Sequence, residues 1–143
     1  MNVAGILKVK GSDVITASPS DSIAAVSNIL GEKRIGAILI VDDSGSLRGV
    51  LSERDIVRGL SESGDGCLQL LAQDLMTSDL VTTSPSETID NVMALMTERR
   101  IRHLPVLEEG RLAGFISIGD VVKSRMDEVE REAAALRDYI ATG

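Results

Sequence analysis

Two matching segments of the chain carry the residues best suited to binding chemistry. Each has a serine followed three positions later by an aspartate: Ser52 and Asp55 in the first, Ser117 and Asp120 in the second. At the start of a helix such a pair forms a capping box, which satisfies free backbone N–H groups. The same place suits phosphate, because a helix N-terminus carries free N–H donors and partial positive charge. A simple cap and a ligand site, in which the aspartate accepts both hydroxyls of a ribose, both remain open.

A glycine stands three residues before the serine in both segments, at Gly49 and Gly114. A helix cap has no need of this glycine. Because glycine lets another group approach the backbone closely, its recurrence predicts a close approach at both places and favours a ligand.

Positive charge is concentrated at Arg99-Arg-Ile-Arg-His103, with Lys33-Arg34 as a shorter counterpart. Cations at a helix C-terminus complement the helix dipole, which is a sufficient reason for Arg99. Arg102 and His103 fall at the start of a predicted strand, where an anion is the more natural complement. Since arginine can hold phosphate through two parallel hydrogen bonds, these two residues are candidate phosphate contacts.

Signatures of catalysis and of metal binding are missing from the sequence, including nucleophile elbows, Walker-type loops, GxGxxG and HExxH. Cys67 is the single cysteine and His103 the single histidine, so the sequence predicts neither a disulfide nor a thiolate metal cluster. Residues 42–53 have oxygen ligands at calcium-loop spacing, but Leu47 stands where that loop needs glycine. We predict a hairpin turn there, no catalytic residues, no catalytic cofactor and no metal.

The composition argues against two further classes of partner. Of 143 residues, 43% are hydrophobic and 26% charged, which is typical of a globular protein, but only Phe115 and Tyr139 are counted as aromatic. Scarce aromatic rings leave no platform on which bases stack, and a net charge of -7 opposes binding to nucleic-acid phosphates. No segment reaches the ~18 apolar residues of a membrane span, and no secretory signal is recognisable. We expect a cytoplasmic protein that binds neither nucleic acid nor membranes.

A tandem repeat positions these residues. Residues 16–35 share nine identities with the residues 66 positions later, and residues 45–57 share six with those 65 positions later. Each copy has the pattern strand, helix, strand, strand, helix, which predicts an α/β (α+β) fold made of two βαββα units.

The boundaries of these elements follow from turn residues and hydrophobic periodicity. In each copy a short strand (Val14–Thr16 or Leu80–Thr83) leads to a helix for which Ser20 or Ser86 is the predicted N-cap. A hairpin follows each helix, and its strands are predicted at Ala37–Val41 with Leu47–Leu51, and at His103–Leu107 with Leu112–Ile116.

Three segments outside the strand and hairpin pattern are also informative. The polar stretch Gly59–Gly66 is the predicted linker between copies, and short amphipathic segments precede the copies at Val3–Lys10 and Leu71–Met76.

The last predicted helix extends well beyond its counterpart in the first copy. Its apolar residues are spaced by four, three, four, three and four positions: Val122, Met126, Val129, Ala133, Leu136 and Ile140. This is the a/d seam of a coiled coil. The seam either packs on its own domain or is shared with a second subunit, where two and a half heptads would have to add to a larger interface.

The segment GVLSERD at residues 49–55 has its counterpart in the second copy as GFISIGD at 114–120, and RIRHLPV precedes the latter at 100–106. With them the chain from Val3 to about Arg125 resembles a pair of cystathionine β-synthase (CBS) domains, a Bateman module, as found in stand-alone bacterial CBS-pair proteins. The resemblance implies two βαββα repeats packed with pseudo-twofold symmetry around two clefts, and flat dimers of such modules. The implied domains are CBS domain 1 at 3–60, a linker at 61–72, CBS domain 2 at 73–125 and a C-terminal helical extension at 126–143.

The resemblance also implies that the clefts bind adenosine ligands: AMP first, with ADP, ATP, NAD or S-adenosylmethionine as further candidates. One cleft would use Ser52, Arg54 and Asp55, and the other Ser117, Ile118 and Asp120, with each aspartate on the ribose hydroxyls. The strand start of the opposite copy would line the base: Gly36, Ala37 and Ile38 for the cleft of Asp120, and Arg102, His103 and Leu104 for that of Asp55. Backbone groups at Ser12, Val14, Ser78 and Leu80 would bind adenine, which would lie between aliphatic side chains such as Ile38 and Leu104.

The two copies differ at one point of this pattern, since Gly36 and Ala37 stand where the second copy has Arg102 and His103. The clefts are therefore expected to be unequal. The function implied by the resemblance is a non-enzymatic sensor of adenosine nucleotides, a homodimer through its CBS helices and C-terminal helix, which relays binding to an unidentified effector protein. The alternative is a dimerising adaptor whose clefts are vestigial.

Overall fold

A computed structural model describes residues 1–142 of the chain; Gly143, the last residue of the predicted helical extension, lies outside them. The elements in chain order are α1 (Val3–Lys10), β1 (Thr16–Ala17), α2 (Ile23–Lys33), β2 (Ala37–Val41), β3 (Leu47–Ser52), α3 (Glu53–Ser63), a 3₁₀ helix (Gly64–Gln69), α4 (Ala72–Leu75), α5 (Ile89–Arg99), β4 (His103–Glu108), β5 (Arg111–Ser117) and α6 (Ile118–Thr142). The predicted α+β class is confirmed.

The elements group into two compact units. One comprises Val14–Val81 and holds the first repeat; the other joins Met1–Asp13 to the chain from Thr82 onward and holds the second. Helix α1 precedes the first repeat in the sequence but belongs to the unit of the second. Its first turn is fixed there, because the N–H of Val3 donates to the carbonyl of Glu87 at 2.9 Å.

The unit of the first repeat is built on a three-stranded sheet in the order β1-β2-β3, with β1 parallel and β3 antiparallel to β2. Its apolar core confirms the predicted stripe on α2. The core residues are Ile23, Val26 and Leu30 from α2, Ile38, Ile40 and Leu51 from the sheet, and Ala17, Ile56, Cys67 and Ala72.

The unit of the second repeat has an antiparallel hairpin of β4 and β5, with α1, α5 and α6. The second copy of the stripe is buried in the same way. The buried residues are Ile89, Val92 and Met96 on α5, Leu104, Val106 and Ile116 in the hairpin, Val3 and Ile6 on α1, and Val121 on α6.

The predicted N-caps Ser20 and Ser86 are wrong by two residues. Helices α2 and α5 are capped by Ser22 and Thr88, whose hydroxyl oxygens accept from the backbone N–H three residues on, at 3.1 and 3.2 Å. The cause is a turn, since the N–H of Asp21 donates to the carbonyl of Ser18 at 3.0 Å. The Ser-Pro-Ser segment forms part of this turn, so the helix begins after it.

One other local prediction is corrected. The segment Leu80–Thr83 is no strand: only Thr83 pairs, as one parallel bridge with Val106. The predicted linker Gly59–Gly66 is helical, because α3 continues to Ser63 and passes into the 3₁₀ helix. A Cβ at Gly59 would lie 2.8 Å from Cys67 Sγ, so this glycine allows close packing of the helix. Among residues 1–142, no helix has both the length and the apolar composition required to cross a membrane.

Candidate functional site

Both Ser–Asp pairs form the predicted capping boxes at the junction of a strand and a helix. At the start of α3, the N–H of Ser52 donates to Asp55 Oδ2 at 2.9 Å, and the N–H of Asp55 donates to Ser52 Oγ at 3.3 Å. At the start of α6, the corresponding distances for Ser117 and Asp120 are 2.8 and 3.2 Å. The cap explanation is therefore confirmed, and the two sites share one local geometry.

The cap uses one oxygen of each aspartate, Oδ2. Within residues 1–142, Oδ1 of Asp120 receives no hydrogen bond, and Oδ1 of Asp55 has only the guanidinium of Arg58 at 3.8 Å. Since an ionised carboxylate oxygen can accept further hydrogen bonds, each cap leaves capacity for a hydroxyl donor. The cap and the predicted ribose site are thus compatible.

Few backbone N–H groups remain for a phosphate at either helix start. The first helical N–H, of Glu53 or Ile118, donates to the carbonyl of Gly36 or Arg102, at 2.9 and 2.8 Å. The third is used by the capping serine. In the described part of the chain only the second N–H, that of Arg54 or Gly119, is left. A phosphate there would depend chiefly on side-chain cations.

The first strand of each hairpin, β2 or β4, begins beside the Ser–Asp pair of its own unit. Ala37 pairs with Ser52 in the sheet, and His103 pairs with Ser117. The ring of the half-buried His103 lies against Phe115, with centroids 5.5 Å apart. The predicted role of each strand start opposite the other repeat's aspartate stays a prediction.

The two aliphatic side chains expected beside adenine, Ile38 and Leu104, are fully buried. Neither side chain offers surface to a ligand in this structure, so the expectation that adenine lies between them is corrected. The four residues expected to bind adenine through their backbone lie in loops: Ser12, Val14, Ser78 and Leu80. Among the described residues, no hydrogen bond uses their N–H or carbonyl groups, which keeps that prediction open.

Lys10, at the end of α1, distinguishes the two aspartates. Its ammonium lies 2.7 Å from Asp120 Oδ2 and donates to the carbonyl of Phe115 at 2.8 Å. Burial raises the pKa of Asp120, but the hydrogen bonds from Lys10 and Ser117 outweigh burial and hold that pKa below its ordinary value. Sequence analysis missed Lys10, because a lysine at the end of an amphipathic segment does not indicate which distant carboxylate it will contact.

The predicted close approach at the two glycines is confirmed, but the approaching group is the protein itself. A Cβ at Gly49 would lie 2.8 Å from Met76 Sδ and 2.9 Å from the carbonyl oxygen of Thr77. A Cβ at Gly114 would lie 2.5 Å from Leu7 Cδ2. The glycines therefore allow Met76 and Thr77 to pack on the first hairpin and Leu7 on the second, and they do not indicate a ligand.

The segment with calcium-loop spacing is the hairpin turn that was expected. Asp42 Oδ1 accepts from the N–H groups of Ser44 and Ser46, each at 3.0 Å. A hydrogen bond from the Ser44 hydroxyl, with these backbone bonds, lowers the pKa of Asp42. Within residues 1–142, no group of histidine, cysteine and acidic side chains has the arrangement of a metal site.

Comparison with known proteins places this geometry in a family. The sequence profile of the CBS domain matches residues 8–62 and 72–127. The chain is similar to a CBS-domain containing protein from Agrobacterium tumefaciens, with 42% identity, 87% of this chain and 92% of that chain covered, and a TM-score of 0.85. It is also similar to the CBS domain-containing protein YhcV of Bacillus subtilis, with 30% identity over 80% of this chain and 81% of the relative.

One similar structure contains ligands. The CBS domain pair of protein MJ0100 was crystallised in complex with 5′-methylthioadenosine and S-adenosyl-L-methionine. It is 26% identical to this chain, covers 90% of this chain and 98% of its own, and has a TM-score of 0.79.

Proposed function

Because this chain belongs to the CBS domain family and holds two copies of the domain, we propose that it is a regulatory protein that binds adenosine nucleotides and is not an enzyme. Proteins with a CBS pair are regulatory modules, and both ligands of the MJ0100 pair contain adenosine. The part that those ligands share is adenine with its ribose. The proposal therefore concerns recognition of adenosine first and of phosphate second.

The observation that carries the proposal is the remaining acceptor on each capping aspartate. The cap holds Asp55 and Asp120 through Oδ2, while Oδ1 keeps capacity for the hydroxyls of a ribose. The cap also fixes the carboxylate in place before a ligand arrives. Such preorganisation lowers the entropic cost of binding, so a local structural motif supports ligand affinity.

Adenine would be bound by the loops that precede each repeat. The backbone groups of Ser12 and Val14, and of Ser78 and Leu80, have no partner among the described residues. They carry N–H donors and carbonyl acceptors, which are the groups that the edge of adenine needs, and their use would explain recognition of a base by a protein almost without aromatic rings.

The ligand we propose first is AMP, with ADP, ATP and NAD as alternatives. One backbone N–H at each helix start gives a phosphate little support, so cationic side chains must provide the rest. In the arrangement that the resemblance implies, Arg102 serves the site of Asp55, with His103 beside it. Gly36 and Ala37 serve the site of Asp120, where Lys10 is the neighbouring cation. We therefore propose two unequal sites.

Isothermal titration calorimetry of the full chain tests this proposal. Titration with AMP, ADP, ATP and NAD should show saturable binding of at least one of them, with GMP as the control for the base and adenosine as the control for the phosphate. The absence of any heat of binding with all four nucleotides at millimolar concentration would overturn the proposal. In the cell, we propose, binding is relayed by a homodimer to an effector protein.

A second function is supported by two observations. The capping boxes give the Ser–Asp pairs a structural role, and Asp120 already has a cation beside it. The chain would then be a dimerising adaptor whose sites are vestigial. Its melting temperature would not change with saturating nucleotide but would rise with protein concentration, since only self-association would stabilise the native state.

A further inference from the structure

The long helix α6 exposes an apolar seam that its own unit does not cover. Seam residues Val122, Met126, Val129, Leu136 and Ile140 have between 41% and 68% of their surface exposed. Val121 and Ser124, on the other face of the helix, are buried. The packing of α6 on its own unit therefore leaves the seam for another occupant.

The seam has the spacing of a two-stranded coiled coil. Steps of four, three, four, three and four residues place Val122, Val129 and Leu136 at heptad position d, and Met126, Ala133 and Ile140 at position a. The e and g positions beside the seam then hold charged residues: Lys123, Glu130 and Arg137 at e, and Arg125 and Glu132 at g. Charges at e and g select the partner and its orientation.

In a parallel pair of identical helices, each g residue meets the e residue five positions later in the other helix. Glu132 then meets Arg137 of the other copy, and Arg125 meets Glu130. Both pairs are of opposite charge, and symmetry doubles them. The Arg125 pair is the weaker one, because Arg125 also contacts Glu128 of its own helix at 3.4 Å.

An antiparallel pair brings like charges together. When all six seam residues are paired, Val129 faces Ala133 of the other copy, e residues face e residues, and g residues face g residues. Glu130 then meets a second Glu130, Glu132 meets a second Glu132, and Lys123 meets Arg137. Every one of these contacts is repulsive.

This inference rests on the homodimer of the proposed function: we propose that the two α6 helices of that dimer pair along the seam, parallel and in register. The charge pattern distinguishes one orientation from the other and identifies the occupant as the same sequence. A parallel pair brings the unit of the second repeat of one copy beside that of the other. This inference does not depend on nucleotide binding.

Charge reversal in the full chain, followed by sedimentation equilibrium at low salt, tests the orientation. Glu132→Arg and Arg137→Glu should each weaken the dimer by about tenfold, since each creates two repulsive contacts. The double variant E132R/R137E should dimerise like the wild type, and a mixture of the two single variants should form heterodimers. Arg131→Glu, at the outer f position, is the matched control and should have no effect.

The antiparallel alternative predicts the opposite result for one variant. Arg137→Glu would then face Lys123 and tighten the dimer, which would overturn the proposal, as would a wild-type chain that stays monomeric at high concentration. Cysteine crosslinking gives a second readout. Ala133→Cys should form a disulfide between two copies under oxidation, whereas Ala135→Cys, outside the seam, should not; equal crosslinking of the two would also contradict a parallel pair.

Discussion

Lys10 Nζ lies 2.7 Å from Asp120 Oδ2, although 110 positions separate the two residues in the sequence. This ion pair joins the end of α1 to the start of α6 within one unit. The same carboxylate oxygen caps α6, while Oδ1 of this carboxylate is the proposed ribose acceptor, so one side chain connects a helix cap, a tertiary contact and the proposed ribose site. In the first repeat, Asp55 has only a distant guanidinium, at 3.8 Å, in this role.

The first prediction concerns stability and pH. The pKa of Asp120 is lower in the folded state than its ordinary value of 3.8. Its ion pair therefore stabilises the protein at pH values above 3.8, and this stabilisation is lost as the pH falls through the lowered pKa of the folded state. Lys10→Met should reduce the free energy of unfolding by about 0.5 kcal/mol at neutral pH, because the pair is partly exposed. The difference from wild type should shrink as the pH is lowered from 5 to 3.

Urea unfolding at several pH values measures this difference. The matched control is Lys8→Met, which removes an exposed lysine of the same helix that makes no ion pair among the described residues. A difference between Lys10→Met and wild type that stays constant with pH would show that the carboxylate is not the origin of the effect.

The second prediction concerns the glycines before the two sites. Gly49→Ala should destabilise the protein by about 2 kcal/mol, because the added Cβ meets the rigid carbonyl of Thr77 as well as Met76. Gly114→Ala should cost less, since the atoms it meets are the end of the Leu7 side chain. Gly31→Ala, where the new Cβ meets nothing within 4 Å, should stabilise α2 by about 0.5 kcal/mol.

Thermal and urea unfolding of the three variants checks this order. The pair Gly114→Ala with Leu7→Ala provides a further check, because removal of the Leu7 side chain should recover part of the loss. Equal effects of Gly49→Ala and Gly31→Ala would contradict the close packing at Gly49.

Local patterns in the sequence predicted the hairpins and both capping boxes. Strand β2 has the predicted bounds, and α1 coincides with the amphipathic segment Val3–Lys10, because each depends on periodicity and turn residues nearby. The caps of α2 and α5 are misplaced in the prediction because the hydroxyl residues inside the turn, Ser20 and Ser86, and those just after it, Ser22 and Thr88, are all good caps. Sequence alone could not tell which of them the turn would use.

Contacts between distant segments could not be predicted. The glycines indicated a close approach, but only the structure shows that Leu7 and Met76 are the neighbours. Lys10 became a site residue through the placement of α1 in the unit of the second repeat. Likewise, alternation predicted apolar residues at Ile38 and Leu104 but not that burial would leave them without surface for a ligand.

The third prediction tests the ribose contact and depends on the proposed function. Asp120→Asn should keep the cap, since an amide oxygen can accept from the Ser117 N–H, but it loses the charge that strengthens hydrogen bonds from ribose hydroxyls. The affinity for the nucleotide that binds in calorimetry should fall by about tenfold at that site. Asp74→Asn, at the capping aspartate of α4, is the matched control and should not change affinity. If Asp74→Asn weakened binding as much as Asp120→Asn, the ribose role of Asp120 would be lost.

The fourth prediction concerns Lys10 and the phosphate. We propose that a nucleotide whose ribose binds Asp120 has its phosphate near the Lys10 ammonium; at a separation of about 6 Å in water, each unit charge would contribute roughly 0.7 kcal/mol. Lys10→Met should therefore weaken AMP binding about threefold and leave adenosine binding unchanged. The alternative is that Lys10 blocks the carboxylate, in which case its removal would strengthen the binding of both ligands. Calorimetry of AMP and adenosine with the wild type, Lys10→Met and the Lys8→Met control separates these outcomes, because only attraction to the phosphate makes the two ligands respond differently.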